Sequence, residues 1–330
     1  MSPAGSMWQS RGQRRIPIAI TIGDPEGIGP EVGLKAIADP AVRREVEPLL
    51  VGEETIWRRV AAELGLDCPG ICPLPSPAAL AKSARRRGHT AAAAGETAYR
   101  AILAAVELVQ TGRAQAVVTA PISKAHLNAA GYDYPGHTEL LAHLAGDVPV
   151  RMMLAGDKLR VVLVTIHVAL AEVPKRLERD HIVETIRITA ASLRQRFGIA
   201  RPRIAVAGLN PHAGEGGLFG REEIEVIAPA VAAARRRRID AVGPLAADGI
   251  FAHAAQGKFD AVVCMYHDQG LGPFKLMHFA DGVNLTLGLP FVRTSPDHGT
   301  AFDIAGKGIA DASSMIAAVR LASRLARVSP

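Results

Sequence analysis

Apolar positions along this chain fall into two alternating kinds of run. "IPIAITIG" from Ile16, "VEPLLVG" from Val46, "AQAVVTAP" from Ala114, "RVVLVTIH" from Arg160, "RIAVAGLN" from Arg203, "FDAVVCMYH" from Phe259 and "GVNLTLGLP" from Gly282 are short, nearly continuous and rich in Val, Ile and Leu. That is the pattern of strands buried on both faces. Between them lie longer stretches with apolar residues at helical spacing: "EETIWRRVAAELGL", "GETAYRAILAAVELVQTG", "RDHIVETIRITAASLRQRFG" and "REEIEVIAPAVAAARRRR". Further helices are expected from near Glu31 and from about Ala312. Strand and helix in alternation predict an α/β protein with a largely parallel sheet. Pro-rich "CPGICPLPSPAAL" reads as a surface loop, and residues 1–15 read as a loose tail.

Composition narrows the class. With 330 residues, 48% hydrophobic and only 4% aromatic, the chain has enough material for a large core in two subdomains. No apolar stretch approaches the roughly 20 residues that span a bilayer. The basic N-terminal stretch has no hydrophobic segment behind it, so it is not a secretory signal, and a cytoplasmic protein is expected. Cys68 and Cys72 have the spacing of half a zinc knuckle, but the chain has three cysteines and no second pair; reduced thiols are expected. The net charge of +6 owes much to Arg85–Arg87 and Arg235–Arg238. Each run ends an Ala-rich helical segment, where cations favour the negative end of the dipole. Neither is interleaved with aromatics, so nucleic acid is not the expected partner, whereas a small anion is.

Three of the strand-like runs finish at or just before a histidine: His167, His212 and His267. In parallel sheets ligands collect at the carboxyl ends of strands. One such histidine is most simply a hydrogen-bonded, partly buried side chain. Three in equivalent places fit a metal site with one coordination position free for substrate as well as they fit three such side chains. Lys275, Asn284 and Arg293 follow on one arm of the chain, and His137 and Thr138 open a helix in "YPGHTELLAHLA". Cations, an amide and a helix N-terminus are groups that hold phosphate or carboxylate. "GDPEGIGPE" has neither the G-x-G-x-x-G spacing nor a P-loop ending.

Taken together, "GDPEGIGPE", "TAPISKA", "YPGHTELLA", "GLNPHAGEGGLFG", "MYHDQGLGPFK" and "VNLTLGLPFVRTSPDHGTAFDIAGKG" resemble the 4-hydroxythreonine-4-phosphate dehydrogenase family, in its order, from about Ile16 to Ala310. The two ends also look like the wider isocitrate and isopropylmalate dehydrogenase fold. That resemblance implies a two-domain arrangement: residues 16–140 with 285–330 as a discontinuous domain carrying the dinucleotide loop, and 141–284 as a second domain with the metal ligands and a dimer interface.

By the same resemblance, His167, His212 and His267 bind one divalent ion (Zn, Co or Mg). His137, Thr138, Lys275, Asn284 and Arg293 bind a phosphorylated four-carbon acid. Asp297, His298, Gly299, Thr300, Ala301 and Asp303 meet NAD, while Asp248 and Asp268 orient ligands or move protons. A homodimer shares each site, with His267 crossing from the neighbouring subunit.

The implied reaction is NAD-dependent oxidation of 4-phosphooxy-L-threonine, with decarboxylation, in pyridoxal phosphate synthesis. A second branch of the family acts on 4-phospho-threonate or 4-phospho-erythronate. A metal-dependent phosphohydrolase or aldolase would use the same ion and anion clamp without NAD. Three positions depart from the family pattern: Glu26 for Ala, Gly249 for a hydroxyl residue, and Pro296 for Val.

Overall fold

In the computed structural model, which describes residues 15–74 and 91–328, the most deeply buried strands come from the Val- and Ile-rich runs. The strands are β1 (Ile16–Thr21), β2 (Val46–Gly52), β3 (Ile71–Pro73), β4 (Ala116–Thr119), β5 (Arg151–Ala155), β6 (Arg160–Leu163), β7 (Arg203–Ala207), β8 (Asp240–Leu245), β9 (Ala261–Cys264), β10 (Val283–Leu287) and β11 (Val292–Pro296). They form one sheet in the order β3-β2-β1-β4-β11-β10-β5-β6-β9-β7-β8. Pairings are parallel except where β10 meets β11 and β5, and where β5 meets β6. The α/β architecture with a largely parallel sheet therefore stands as the sequence pattern predicts.

The antiparallel centre reverses the sheet. β1, β2, β3, β4 and β11 run one way, and β6, β9, β7 and β8 run the other. Helices Ala91–Gln110 and Ser313–Val328 cover the first group, and helix Arg179–Gln195 packs across β5, β6, β9 and β10. Ile18, Ile20, Val117, Val162 and Val263, all fully buried, belong to one core that runs through both groups. The expected domain boundaries, after residues 140 and 284, fall inside helix His137–Leu144 and inside β10.

Four strands were not legible in the pattern. β3 has three residues, "RMMLA" in β5 lacks β-branched residues, "DAVGPL" in β8 carries a Gly-Pro pair, and "VRTSP" in β11 reads as polar although all five of its residues are buried. The run ending in His167 overshoots its strand. β6 stops at Leu163, and Val164 and Thr165 donate to the carbonyls of Cys264 and Met265 on the way to the histidine. The Arg85–Arg87 run, most of the N-terminal tail and the end of the Pro-rich loop lie outside the described residues.

Close packing sets the position of the short helix Lys124–Ala129, which walls the site described below. Gly95, in helix Ala91–Gln110, lies directly against it: a Cβ there would stand 1.9 Å from the His126 carbonyl oxygen. Neither backbone can give way. Gly95→Ala should lower the unfolding free energy by about 3 kcal/mol, the upper end of overpacking costs, in urea denaturation. An unchanged midpoint would mean that the two helices can slide apart.

Candidate active site

Arg293 on β11 is the centre of the site. It is 2% exposed, yet among the described residues no carboxylate pairs with it: Nε donates to Thr119 Oγ1 at 3.1 Å, Nη2 to the same oxygen at 2.5 Å, and Nη1 to Thr286 Oγ1 at 3.0 Å. Burial pulls its pKa down to about 9, a loss that the charge of Glu139 partly offsets. A buried cation without a counter-ion is costly, and an anion from outside would relieve it.

The cavity over Arg293 has a volume of about 420 Å³, and it gathers all five expected substrate-binding residues: His137, Thr138, Lys275, Asn284 and Arg293. Two of these side chains carry buried polar atoms with no hydrogen-bond partner among the described residues, His137 Nε2 and Asn284 Oδ1. Burial, and then the Arg293 charge, holds the His137 imidazole well below the ordinary histidine pKa. Lys275 Nζ pairs with Asp297 Oδ2 at 3.1 Å. Thr138 lies in the first turn of helix His137–Leu144, whose free N–H groups favour negative charge. The arrangement is an anion receptor built on a buried cation, with His137 Nε2 free to donate.

Depressed histidines give a pH dependence with a definite sign. His137, His167 and His181 all have lowered folded-state pKa values, chiefly through burial. Below about pH 6.5 the unfolded chain binds protons that the folded chain refuses, so stability falls as pH drops through that range. The urea midpoint should be lower at pH 5 than at pH 7, and His137→Gln should flatten the difference. A midpoint that rises on acidification would contradict these environments.

The loops after β6, β9 and β7 carry His167, His267 and His212 along one edge, in that spatial order. The rings of His167 and His267 lie 5.9 Å apart, centre to centre. Two imidazoles on one tetrahedral ion sit about 5 Å apart by this measure, given metal–nitrogen bonds of about 2 Å. Asp268 Oδ1 takes the Nδ1 side of His267 at 2.6 Å, which leaves Nε2 for a ligand. Burial, then the charges of Lys124 and His267, lowers the His167 pKa and favours the neutral, coordinating imidazole.

His212 does not join them within one chain. It is exposed, with its ring 6.3 Å from that of Phe219. The backbone from His212 to Gly216 is left-handed at every residue, with φ of 52° at His212 and 51° at Ala213. Such strain in residues other than glycine persists only when neighbours enforce it, and it clusters at functional sites. Buried Glu223 is the enforcer: its Oε1 accepts from the backbone N–H groups of Leu209 and Asn210, both at 2.7 Å. Gln269 ties the β7 and β9 ends together, accepting from Met265 N and donating to the Gly208 carbonyl.

Of the two expected catalytic carboxylates, Asp268 is held beside His267. Asp248 is exposed at the start of helix Ala247–Ala255 and does not line the cavity. Gly249 follows it and is likewise clear of the cavity. The third departure, Pro296, does line it. Among the described residues, the one group of three His, Cys, Asp or Glu side chains with ligand atoms within 4.8 Å of one another is Asp24, Glu26 and His126. Asp24 Oδ2 and His126 Nδ1 are only 2.7 Å apart, closer than the roughly 3.3 Å between two ligands on a tetrahedral ion. They are a hydrogen-bonded pair as they stand.

Asp297, His298 and Gly299 also line the cavity, whereas Thr300 turns away, its carbonyl accepting from Ile28 N at 2.9 Å. Gly27 is required at that crossing, because a Cβ would lie 2.8 Å from the Thr300 oxygen. Beyond it, Pro25–Glu31, Arg59–Leu64 and Ala305–Gly308 frame a second cavity of about 550 Å³. Buried Glu31 fastens this loop by accepting from Ala310 N and from Lys35 Nζ, both at 2.8 Å. Ala301, with φ of 43°, and exposed Asp303 lie between the cavities.

Sequence reasoning did not single out Lys124, Glu139 or Thr119 in the cavity, nor Glu223 and Gln269 behind it. Lys124 lay in plain sight in "TAPISKA"; the others work through contacts that only folding creates.

The fold and site thus define an α/β protein with a cationic small-molecule pocket, opening on paired histidines and on a glycine-rich loop. Residues 44–322 match the family described as "Pyridoxal phosphate biosynthetic protein PdxA", and the chain belongs to that family. It is 52% identical over 325 residues to the 4-hydroxythreonine-4-phosphate dehydrogenase of Geobacter metallireducens, covering 94% of this chain and 96% of that one. It is 47% identical to a Bradyrhizobium diazoefficiens relative named "Putative D-threonate 4-phosphate dehydrogenase", covering 94% of this chain and 96% of that one. The crystal structure of 4-hydroxythreonine-4-phosphate dehydrogenase from Klebsiella pneumoniae superimposes with a TM-score of 0.84 at 42% identity, covering 96% of this chain and 99% of that one.

Proposed function

We propose that this protein is an NAD-dependent 4-hydroxythreonine-4-phosphate dehydrogenase of pyridoxal phosphate synthesis. It oxidises the secondary hydroxyl of 4-phosphooxy-L-threonine to a β-keto acid that loses carbon dioxide to give 3-amino-2-oxopropyl phosphate. The observation that carries the substrate class is buried Arg293, which has no carboxylate partner among the described residues and lines one cavity with His137, whose buried Nε2 can donate to an anion. Arg293, His137, Thr138, Asn284 and Lys275 hold the phosphate and so fix the chain of the acid across the cavity.

His167, His212 and His267 are the residues we assign to a divalent ion. Bound there, the ion lowers the pKa of the substrate hydroxyl and absorbs the charge left by decarboxylation. Asp268 holds the His267 ring in the coordinating tautomer. The loop Asp297–Asp303 runs from the substrate cavity to the cavity at Ala305–Gly308, and its residues would hold NAD, which would accept the hydride.

The dimer belongs to this reading. Leu276 and Phe279 are 89% and 84% exposed at the end of the segment that His267 begins, and Leu218, Phe219 and Ile224 are exposed beside the His212 turn. Apolar patches of this kind mark interfaces. His267 lies beside His167 of its own chain, so His212, rather than His267, is the ligand we assign across the two-fold axis. We read residues 16–140 with 285–330 as the lobe that carries the NAD loop, and 141–284 as the lobe that pairs with the second subunit.

The Bradyrhizobium relative supports a second substrate, 4-phospho-D-threonate, which differs at the carbon bearing the amine. Rates of NADH release from both acids, measured side by side, test the choice. A higher kcat/KM for 4-phosphooxy-L-threonine is expected, and a clear preference for the threonate would reassign the substrate. Phosphate or aldehyde release without NADH would favour a hydrolase or aldolase.

A further inference from the structure

We infer that Lys124 is the carboxylate-binding residue of this cavity, and that it makes the site select phosphorylated acids over phosphorylated alcohols. The inference rests on the phosphorylated-acid reading above. Lys124 is exposed at the cavity wall, and among the described residues its ammonium has no carboxylate within salt-bridge distance and no hydrogen-bond partner. Lys124 and His167 line the same cavity. Its stem passes over Gly136, where a Cβ would meet Glu139 Oε2 at 3.5 Å and Lys124 Cε at 3.8 Å. These relations place the charge between the His137 end of the phosphate clamp and His167.

The other two cations of the cavity are already engaged. Lys275 is paired with Asp297, and Arg293 is committed to Thr119, Thr286 and the phosphate. An acid with its phosphate at Arg293 and its hydroxyl towards His167 brings its carboxylate past the hydroxyl, two carbons further on. Lys124 is the remaining cation there.

The backbone that carries Lys124 is rigidly held. Ser123 Oγ caps the short helix by accepting from His126 N at 3.2 Å, Asp24 bonds the His126 ring, and Gly95 packs on the His126 carbonyl. An exposed ammonium also suits a carboxylate that must leave. When carbon dioxide departs, Lys124 returns to water, whereas a buried cation would be left unpaired.

Titration calorimetry on the zinc-loaded protein without NAD tests this. The two ligands are 4-phosphooxy-L-threonine and the same phosphorylated amino alcohol lacking its carboxylate. The wild type should bind the acid roughly ten-fold more tightly, the scale of one charge-assisted contact. Lys124→Met and the milder Lys124→Gln should lose that preference and still bind the alcohol, and Lys124→Arg should recover much of it. A Met variant that keeps the full preference, or a wild type that shows none, overturns the role of Lys124. A wild type that binds neither compound overturns the phosphorylated-acid reading itself, and this inference with it.

Discussion

Replacing Arg293 with Met should cut kcat/KM for the phosphorylated acid by about a thousand-fold, leave KM for NAD nearly unchanged, and raise the melting temperature of the ligand-free protein. The first effect follows from losing two charge-assisted hydrogen bonds of about 1.5–3 kcal/mol each, where 1.4 kcal/mol is a factor of ten. The second follows from position, since Arg293 lines the substrate cavity and not the one at Ala305–Gly308. The third follows from burial: the guanidinium is 2% exposed and, among the described residues, bonded only to hydroxyls. Removing a buried charge without a counter-ion in favour of an apolar side chain of similar length is neutral or stabilising. Lys275→Ala should act in the same direction and more weakly, because Asp297 already shares its charge. Steady-state kinetics and calorimetric melting provide the readouts. An Arg293→Met protein that melts lower and loses NAD affinity equally would make Arg293 a structural residue.

Subunit mixing should restore activity to particular pairs of inactive histidine variants. If His167 and His267 of one chain work with His212 of the partner subunit, then His167→Ala and His212→Ala proteins, refolded together, form mixed dimers with one intact site and one doubly damaged site. At equal amounts, half of the dimers are mixed and half of their sites are intact, so about a quarter of wild-type activity should return. His267→Ala with His212→Ala should behave in the same way. His167→Ala with His267→Ala should stay inactive, because every mixed site then lacks one ligand. Recovery in that last pair, with none in the first, would restore His267 as the crossing ligand. NADH release after confirmed exchange decides between the two partitions.

The strands bearing the histidines were legible because burial on both faces leaves an unbroken apolar run, and β6, β7 and β9 are such runs. Their common edge followed from parallel pairing. What could not be read was where each ring goes after its strand ends. Loop geometry decides that, and at His212 it is a left-handed turn held by Glu223 from another segment. The clamp residues were legible as types in known motifs, but the missing counter-ion of Arg293 was not, since it depends on Thr119 and Thr286 arriving from other strands. β11 escaped for a related reason: "VRTSP" looks solvated until its polar groups are seen to be buried in the pocket wall and the core.

The most direct test of the central claim uses 4-phosphooxy-L-threonine deuterated at the hydroxyl-bearing carbon, with the purified protein, NAD and zinc. Mass spectrometry of the cofactor and collection of the released gas follow the two halves of the reaction together. Singly deuterated NADH and carbon dioxide are expected in equal amounts, with 3-amino-2-oxopropyl phosphate as the remaining product. Reduced cofactor without deuterium, or inorganic phosphate released with no reduced cofactor at all, would contradict that claim.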